Sequence, residues 1–130
     1  MNPLVRTIAA LSFGFVSLIA AADAIRTLTP AQVHAQMAKQ QIQVFDANLP
    51  EVFARHHVPG ATHVEYDRVK ASDLPQDKSA PIVFYCMNEQ CGASPVAAKT
   101  AVKLGWKNVY LMPAGIEGWI AARLPVESAH

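Results

Sequence analysis

The sequence predicts an α/β domain with a central, mostly parallel sheet flanked by helices. Strand-like and helix-like segments alternate along the chain, as they do in this class of fold. The strongest apolar segment, residues 81–85, shows no alternation of polar and apolar side chains, which predicts a strand buried on both faces. Two segments open with an N-cap residue followed by proline, Thr29-Pro30 and Ser94-Pro95, which is typical of helix starts.

The individual elements follow in order from these signals. Apolar residues at helical spacing follow Pro30, and the helix predicted from Ser94 as its N-cap stops at Gly105. Residues 73–81 are polar and contain two prolines, which indicates a loop. The predicted strands are residues 42–46, 62–64, 81–85 and 108–112, and the predicted helices are 30–40, 51–55, 94–104 and a last one that carries Ile116 and Trp119.

Composition excludes several classes of protein. The 130 residues suffice for one domain; 52% are hydrophobic and 16% charged, and the formal net charge is +1. A chain of this composition is neither a disordered tail nor a polybasic binder of nucleic acid. Its two cysteines are too few for a disulfide-framework protein or a four-thiolate zinc site.

The first 24 residues have the pattern of a secretory signal peptide. Arg6 precedes an uncharged apolar run, residues 7–22, which overlaps the small-x-small sequence Ala22-Asp23-Ala24. The run is shorter than the roughly 20 residues that span a bilayer, so no stable membrane association is expected after cleavage. We therefore expect cleavage after Ala24, and residues 25–130 form a periplasmic or secreted domain, where two thiols can pair.

The loop after the buried strand is the predicted chemical site. Cys86 follows residues 81–85, and ligands of open parallel sheets bind beyond the carboxyl ends of the strands. A helix beginning near Ser94 directs its free amides and positive dipole end at this loop. Such a field lowers the pKa of a thiol and favours a nucleophilic thiolate. Cys91 lies five residues further, close enough to form a disulfide with Cys86, and the residues alone leave the pairing open.

Motifs in a fixed order make the sequence similar to the single-domain rhodaneses over nearly all of residues 25–126. The strand ends in Asp46, the turn His57-Val58-Pro59-Gly60-Ala61 follows, and Tyr85-Cys86 precedes the active-site loop. The remaining matches are Ala97-Ala98, Leu104-Gly105-Trp106, Asn108-Val109-Tyr110-Leu111 and the segment from Ala114 to Trp119. The resemblance implies the three-layer rhodanese-like fold for residues 25–130.

The resemblance also implies sulfur transfer. Cys86 would take a sulfane sulfur from a small donor, form a persulfide and pass the sulfur to a thiol or another nucleophile. No metal or organic cofactor is implied, and the partners would be a small sulfur donor and a thiol acceptor or a periplasmic redox partner, with the chain a monomer. The backbone amides of the loop would cradle the outer sulfur; the loop residues are Met87, Asn88, Glu89, Gln90, Cys91, Gly92 and Ala93.

The sequence departs from the family pattern at several positions in and near the loop. Ser94 comes eight rather than six residues after Cys86, and the loop arginine is missing, which weakens the expectation that thiosulfate is the donor. Gly92 stands where a related phosphatase branch has its phosphate-binding arginine, which disfavours phosphatase chemistry. Asn48 replaces an arginine, which we interpret as a lost structural ion pair. Cys91 is an addition that would resolve a Cys86 persulfide and leave an internal disulfide.

Two other interpretations stay open at this point. One is a non-catalytic binding module, or a thiol–disulfide redox protein, in which Cys86 and Cys91 form a disulfide. The other is a metal site, formed either by His56, His57 and His63 or, for a soft metal, by the two thiols. For His57, a structural hydrogen bond is the simpler role. Trp106, Trp119 and Phe53 are predicted core aromatics, and Lys99, Lys103 and Lys107 a solvated helix face.

Overall fold

The computed structural model describes residues 9–12, 14 and 25–129. The predicted signal peptide, residues 1–24, falls almost wholly outside the described residues and stays a prediction. No helix in the described part of the chain is long and apolar enough to cross a membrane.

Within residues 25–129, five parallel strands form one sheet, which confirms the predicted fold class. Their spatial order is β1-β5-β4-β2-β3, so the fully buried β4 lies at the centre. The strands are β1 (Arg26–Thr27), β2 (Gln43–Asp46), β3 (Thr62–His63), β4 (Ile82–Tyr85) and β5 (Val109–Leu111). The helices are α1 (Pro30–Ala38), α2 (Pro50–Arg55), α3 (Ala93–Lys103) and α4 (Gly115–Ala121), with a 3-10 turn at Ala71–Asp73.

Successive residues of β4 supply two separate cores, one on each face of the sheet. Ile82, Phe84 and Cys86 pack with the alanine-rich face of α3. Val83 and Tyr85 pack on the other face, with residues of α1 and α4. This alternation of side chains along a strand produces three layers and assigns Cys86 to the face that α3 covers.

Local signals account for how α1 and α3 begin and end. Thr29 accepts a hydrogen bond from the Gln32 amide, and the Gln32 side chain accepts one from the Thr29 amide, a reciprocal capping box. The end of α3 is closed by Gly105 at φ +106°, while the Trp106 amide donates to the carbonyl of Ala101.

Three sequence predictions need correction. Ser94 is not the N-cap of α3: the helix begins at Ala93 with Gly92 as its N-cap, because the amide and hydroxyl of Ser94 contact Cys86 instead. Strand β1 was not predicted; it has two exposed residues and is defined by pairing with β5. Phe53 is only half-buried, whereas Trp106 and Trp119 are buried as expected.

Candidate active site

Cys86 lies directly after the central strand, at the carboxyl edge of the sheet. Its side chain is buried, and its Sγ accepts a hydrogen bond from the Ser94 amide at 3.3 Å. The Ser94 hydroxyl also lies 3.3 Å from this sulfur. Because Ser94 is in the first turn of α3, the free amides and the positive end of that helix face the sulfur. These groups stabilise negative charge on Cys86 whenever it is a thiolate.

Helix α4 fixes the start of the loop from the opposite side. The Ile116 amide donates to the Cys86 carbonyl at 2.9 Å, and the Glu117 amide donates to the Met87 carbonyl at 3.0 Å. The approach is close because Gly115 has φ +63° and no side chain: a Cβ there would lie 2.5 Å from the Met87 carbonyl. The backbone around Cys86 is therefore held by two helices and a strand.

Cys91 forms a disulfide with Cys86. This pairing answers the question that the residues alone left open. Cys91 lies in a short turn centred on Asn88, whose carbonyl accepts from the Cys91 amide and whose side chain accepts from the Gln90 amide, each at 3.1 Å. The Asn88 amide group in turn donates to the Glu117 carboxylate at 3.1 Å. Four intervening residues are thus folded so that the two sulfurs meet.

A depression of about 430 Å³ opens beside the disulfide; we refer to it as the Cys91 cavity. Cys91 lines it, whereas Cys86 does not. None of its lining side chains is charged, and most are apolar. They are Asn48, Leu49, Val52, Tyr66, Met87, Cys91, Gly92 and Ala93.

The seven predicted loop residues do not share one environment. Met87, Cys91, Gly92 and Ala93 line the Cys91 cavity. Glu89 is exposed and lines a separate depression, together with Thr29 and Ala114. The Cys91 and Gln90 amides are already used within the loop. The predicted cradle therefore excludes these two amides and otherwise stays a prediction.

Asp46 and Tyr85 form a buried polar pair at the carboxyl ends of β2 and β4. Asp46 is fully buried, and its Oδ1 accepts from the Asn48 amide at 2.8 Å, while Oδ2 has no hydrogen-bond partner among the described residues. Burial raises the pKa of Asp46, and the nearby hydroxyl of Tyr85 partly opposes that rise. Burial and the Asp46 charge raise the pKa of Tyr85, whose hydroxyl accepts from the Val58 amide at 3.0 Å. The phenol therefore stays neutral.

Asn48, interpreted from the sequence only as a lost ion pair, is buried and lines the Cys91 cavity. Its side chain is 7% exposed, and its Nδ2 lacks a hydrogen-bond partner in the described part of the chain. The side chain lies near enough to Asp46 to lower that carboxyl's pKa slightly, but without the geometry of a hydrogen bond. Its position two residues beyond a parallel strand was the available signal. Leu49, Val52 and Tyr66 carry no such signal, because only the tertiary fold brings them together.

His57 and His63 each donate to a backbone carbonyl, whereas His56 is exposed. His57 Nδ1 donates to the Phe53 carbonyl at 2.8 Å, and the two rings stack with centroids 3.9 Å apart. His63 Nε2 donates to the Asn48 carbonyl at 2.7 Å. No group of three or more His, Cys, Asp or Glu side chains within the described ranges is placed to hold a metal ion. Lys99, Lys103 and Lys107 are exposed, as expected.

A family model and two known proteins are similar to this sequence. The rhodanese-like domain matches residues 29–122 of the chain. The thiosulfate sulfurtransferase GlpE of Pseudomonas aeruginosa is 30% identical over 97 residues, which cover 75% of this chain and 86% of that protein. The GlpE of Haemophilus influenzae is 30% identical over 105 residues, covering 81% and 97%.

Solved structures agree on the fold. The BH2092 protein of Bacillus halodurans superposes with a TM-score of 0.71 at 24% identity, covering 79% of this chain and 77% of that one. RPA3614 of Rhodopseudomonas palustris, described as a possible tyrosine phosphatase, superposes with a TM-score of 0.64 at 27% identity, covering 79% and 85%. The match over residues 29–122, with the shared parallel sheet and the loop that follows β4, leads to one conclusion: the chain belongs to the rhodanese-like family.

Proposed function

We propose that the chain is a sulfurtransferase that carries sulfane sulfur on Cys86. The observation that carries this proposal is the position of the Cys86 sulfur, held at the carboxyl end of β4 against the first turn of α3 by the Ser94 amide. The relatives named thiosulfate sulfurtransferase support the same reaction class. A cysteine is a nucleophile only as its thiolate, and this environment stabilises the thiolate.

The reaction has two transfers. In the reduced chain the Cys86 thiolate attacks the sulfane sulfur of the donor, and the donor's remaining group leaves with the electron pair of the broken bond. The resulting persulfide anion lies against the Ser94 amide and the loop amides nearest α3. A nucleophilic acceptor then attacks the outer sulfur, and the bond electrons return to Sγ of Cys86 as a thiolate. The sum moves one sulfur atom and needs no external oxidant or reductant.

Cys91 offers a second outcome for the persulfide. Its thiolate attacks Sγ of Cys86, the outer sulfur leaves as hydrosulfide, and the two cysteines become a disulfide. That product has the same bond as the structure, in which the two sulfurs are joined. The persulfide is thereby reduced to hydrosulfide, and the two thiols are oxidised. Another turnover then requires a thiol reductant, which fits the exported location that residues 1–24 predict.

Thiosulfate, with two negative charges, is a less suitable donor here than a low-molecular-weight persulfide. The loop from Cys86 to Pro95 contains no lysine or arginine, and the side chains lining the Cys91 cavity are uncharged. A doubly charged donor would therefore meet only backbone dipoles, whereas basic side chains are the usual partners of such anions. Gly92, at the position of the phosphatase arginine, likewise disfavours a phosphate ester as substrate.

A turnover assay tests this function. The reduced chain is given a low-molecular-weight persulfide or thiosulfate, with cyanide as acceptor, and thiocyanate is measured. We expect turnover by the wild type, none by Cys86→Ala, and retained turnover by Cys91→Ala. Turnover by Cys86→Ala equal to that of the wild type would contradict the proposal.

The second candidate, a binding module or a thiol–disulfide redox protein, is favoured by the disulfide itself. Thiol titration of protein taken fresh from its compartment distinguishes it from the first. Two accessible thiols and sulfur turnover support the transferase. A disulfide that persists, with no turnover after reduction, supports the second candidate.

A further inference from the structure

The two sulfurs of the disulfide differ in their access to solvent. Cys86 is 2% exposed, and it belongs to the core packed under α3. Cys91 is only partly buried and lines the Cys91 cavity. An attacking thiolate must approach the sulfur with which it forms a bond, so access decides which sulfur is attacked. The cavity therefore leads an external thiol to Cys91.

The same geometry makes Cys86 the better leaving group. When the disulfide breaks at Cys91, the electron pair remains on Sγ of Cys86, beside the Ser94 amide at 3.3 Å and the first turn of an eleven-residue helix. A thiolate stabilised by amides and a helix N-terminus has a lower pKa, and a thiol of lower pKa leaves faster. No comparable donor contacts Sγ of Cys91 among the described residues.

The cavity also selects the chemistry of the thiol. Its uncharged lining, including the partly exposed Leu49 and Tyr66, favours an uncharged compound with an apolar portion. Asn48 also lines the cavity, but its Nδ2 is buried, so the apolar lining is what selects the bound thiol.

We propose that the Cys91 cavity binds an uncharged small thiol with an apolar portion, and that Cys91 is the sulfur it attacks. Reduction of the disulfide restores the Cys86 thiolate with which sulfur transfer begins, and only in this respect does the proposal rest on the proposed function.

The reduction consists of two balanced exchanges. The thiolate of the substrate attacks Sγ of Cys91, the bond between the two cysteines breaks, and Cys86 leaves as a thiolate. A second substrate thiolate then attacks the substrate sulfur of the mixed disulfide, and Cys91 leaves as a thiolate. Two substrate thiolates are oxidised to one small disulfide, and the protein disulfide is reduced to two thiolates.

The first test uses the oxidised wild-type chain and needs no variant. The chain is mixed with limiting N-acetylcysteine amide, quenched with acid after milliseconds to seconds, alkylated and mapped by peptide mass spectrometry. Extrapolated to zero time, the adduct is expected on Cys91, with Cys86 alkylated. An adduct that starts on Cys86 would overturn the proposal. Because no sulfur donor is present, this result is independent of whether the chain is a sulfurtransferase.

The second test measures selectivity for an uncharged thiol. Reduction rates with N-acetylcysteine amide and with N-acetylcysteine, whose carboxylate is charged, are each expressed per thiolate and divided by the rate for the same chain unfolded in urea. We expect the folded chain to prefer the amide severalfold, because a carboxylate that enters the uncharged cavity loses its water and gains no partner. An equal ratio for the two thiols would overturn the role of the cavity lining.

Discussion

Cys86 and Cys91 share one disulfide, yet the two halves of the loop that carries them are built differently. On the Cys86 side, β4, α3 and α4 all contact the backbone or the sulfur, through the Ser94, Ile116 and Glu117 amides. On the Cys91 side, the backbone amides of the turn donate within the loop, only the Asn88 side chain reaches α4, and the sulfur borders an open cavity. The fold therefore keeps one sulfur in place and leaves the other accessible to partners. Such a division suits a nucleophile that is paired with a resolving thiol.

The largest expected effect comes from replacing Cys91, the accessible cysteine. In Cys91→Ala, loading of Cys86 with sulfur continues, but the internal release of hydrosulfide stops, because no second thiolate can attack the persulfide. We expect hydrosulfide release without added acceptor to fall by about a hundredfold or more, in line with the loss of a positioned nucleophile. A hydrosulfide electrode measures it after donor addition to the reduced chain. Release at the wild-type rate would show that Cys91 does not resolve the persulfide.

The second prediction concerns the Cys86 side of the loop, where α4 approaches the backbone closely. In Gly115→Ala, the new Cβ would meet the Met87 carbonyl at 2.5 Å, on a residue that also has positive φ. We expect the free energy of unfolding to fall by about 3 kcal/mol, the sum of backbone strain and overpacking. Urea unfolding measures the change.

The matched control is Gly60→Ala. Gly60 has a similar φ of +77°, but nothing lies within 4 Å of a Cβ there, so only the backbone cost of about 1 kcal/mol is expected. Equal losses of unfolding free energy in the two variants would mean that a Cβ at position 115 meets no steric resistance from the loop.

These two halves also differ in how well the sequence predicted them. The buried strand that ends before Cys86, the glycine end of α3 and the parallel sheet follow from local signals: apolar runs, caps and alternation of elements. The Ser94-Pro95 pair was misleading, because a serine that normally caps a helix is bound to a sulfur here, and the helix begins one residue before it. The pattern was right about a helix start and wrong about what the side chain contacts.

The cavity was beyond prediction for a different reason. Asn48, Leu49 and Val52 come from the end of β2 and from α2, and Tyr66 comes from the segment after β3. Only the spatial strand order, in which β2 lies between β3 and β4, brings these segments beside the loop. Nothing local to Tyr66 indicates a cavity wall.

The third prediction weakens the stabilisation of Cys86 without removing it. Ser94→Ala deletes the hydroxyl 3.3 Å from the sulfur and keeps the amide. We expect the pKa of the reduced Cys86 thiol to rise and sulfur loading at pH 7 to slow by about fivefold. Loading rates as a function of pH give the readout, and the profile should shift to higher pH. Ser79→Ala, an exposed position in the loop before β4, is the control and should leave the profile unchanged.

The smallest expected effect concerns Asp46, under the same edge of the sheet. Because burial raises its folded pKa above the ordinary 3.8, the folded chain binds more protons than the unfolded chain just above that pH. This group therefore favours folding at low pH, and its contribution is lost as pH rises from 3.8 through the raised value. We expect the stability of Asp46→Asn relative to the wild type to increase as the pH rises from 4 to 7. Urea midpoints across this range test it, and a parallel pH dependence in the two chains would contradict it.

The most direct measurement of the central claim is the intact mass of the reduced chain after incubation with a low-molecular-weight persulfide. We expect a gain of one sulfur atom that cyanide removes, that maps to Cys86 and that is absent from Cys86→Ala. In the wild type the gain should be transient and give way to the Cys86–Cys91 disulfide, whereas it should persist in Cys91→Ala. A chain that gains no sulfur under these conditions, or that gains it on Cys91 alone, would contradict a sulfurtransferase working through Cys86.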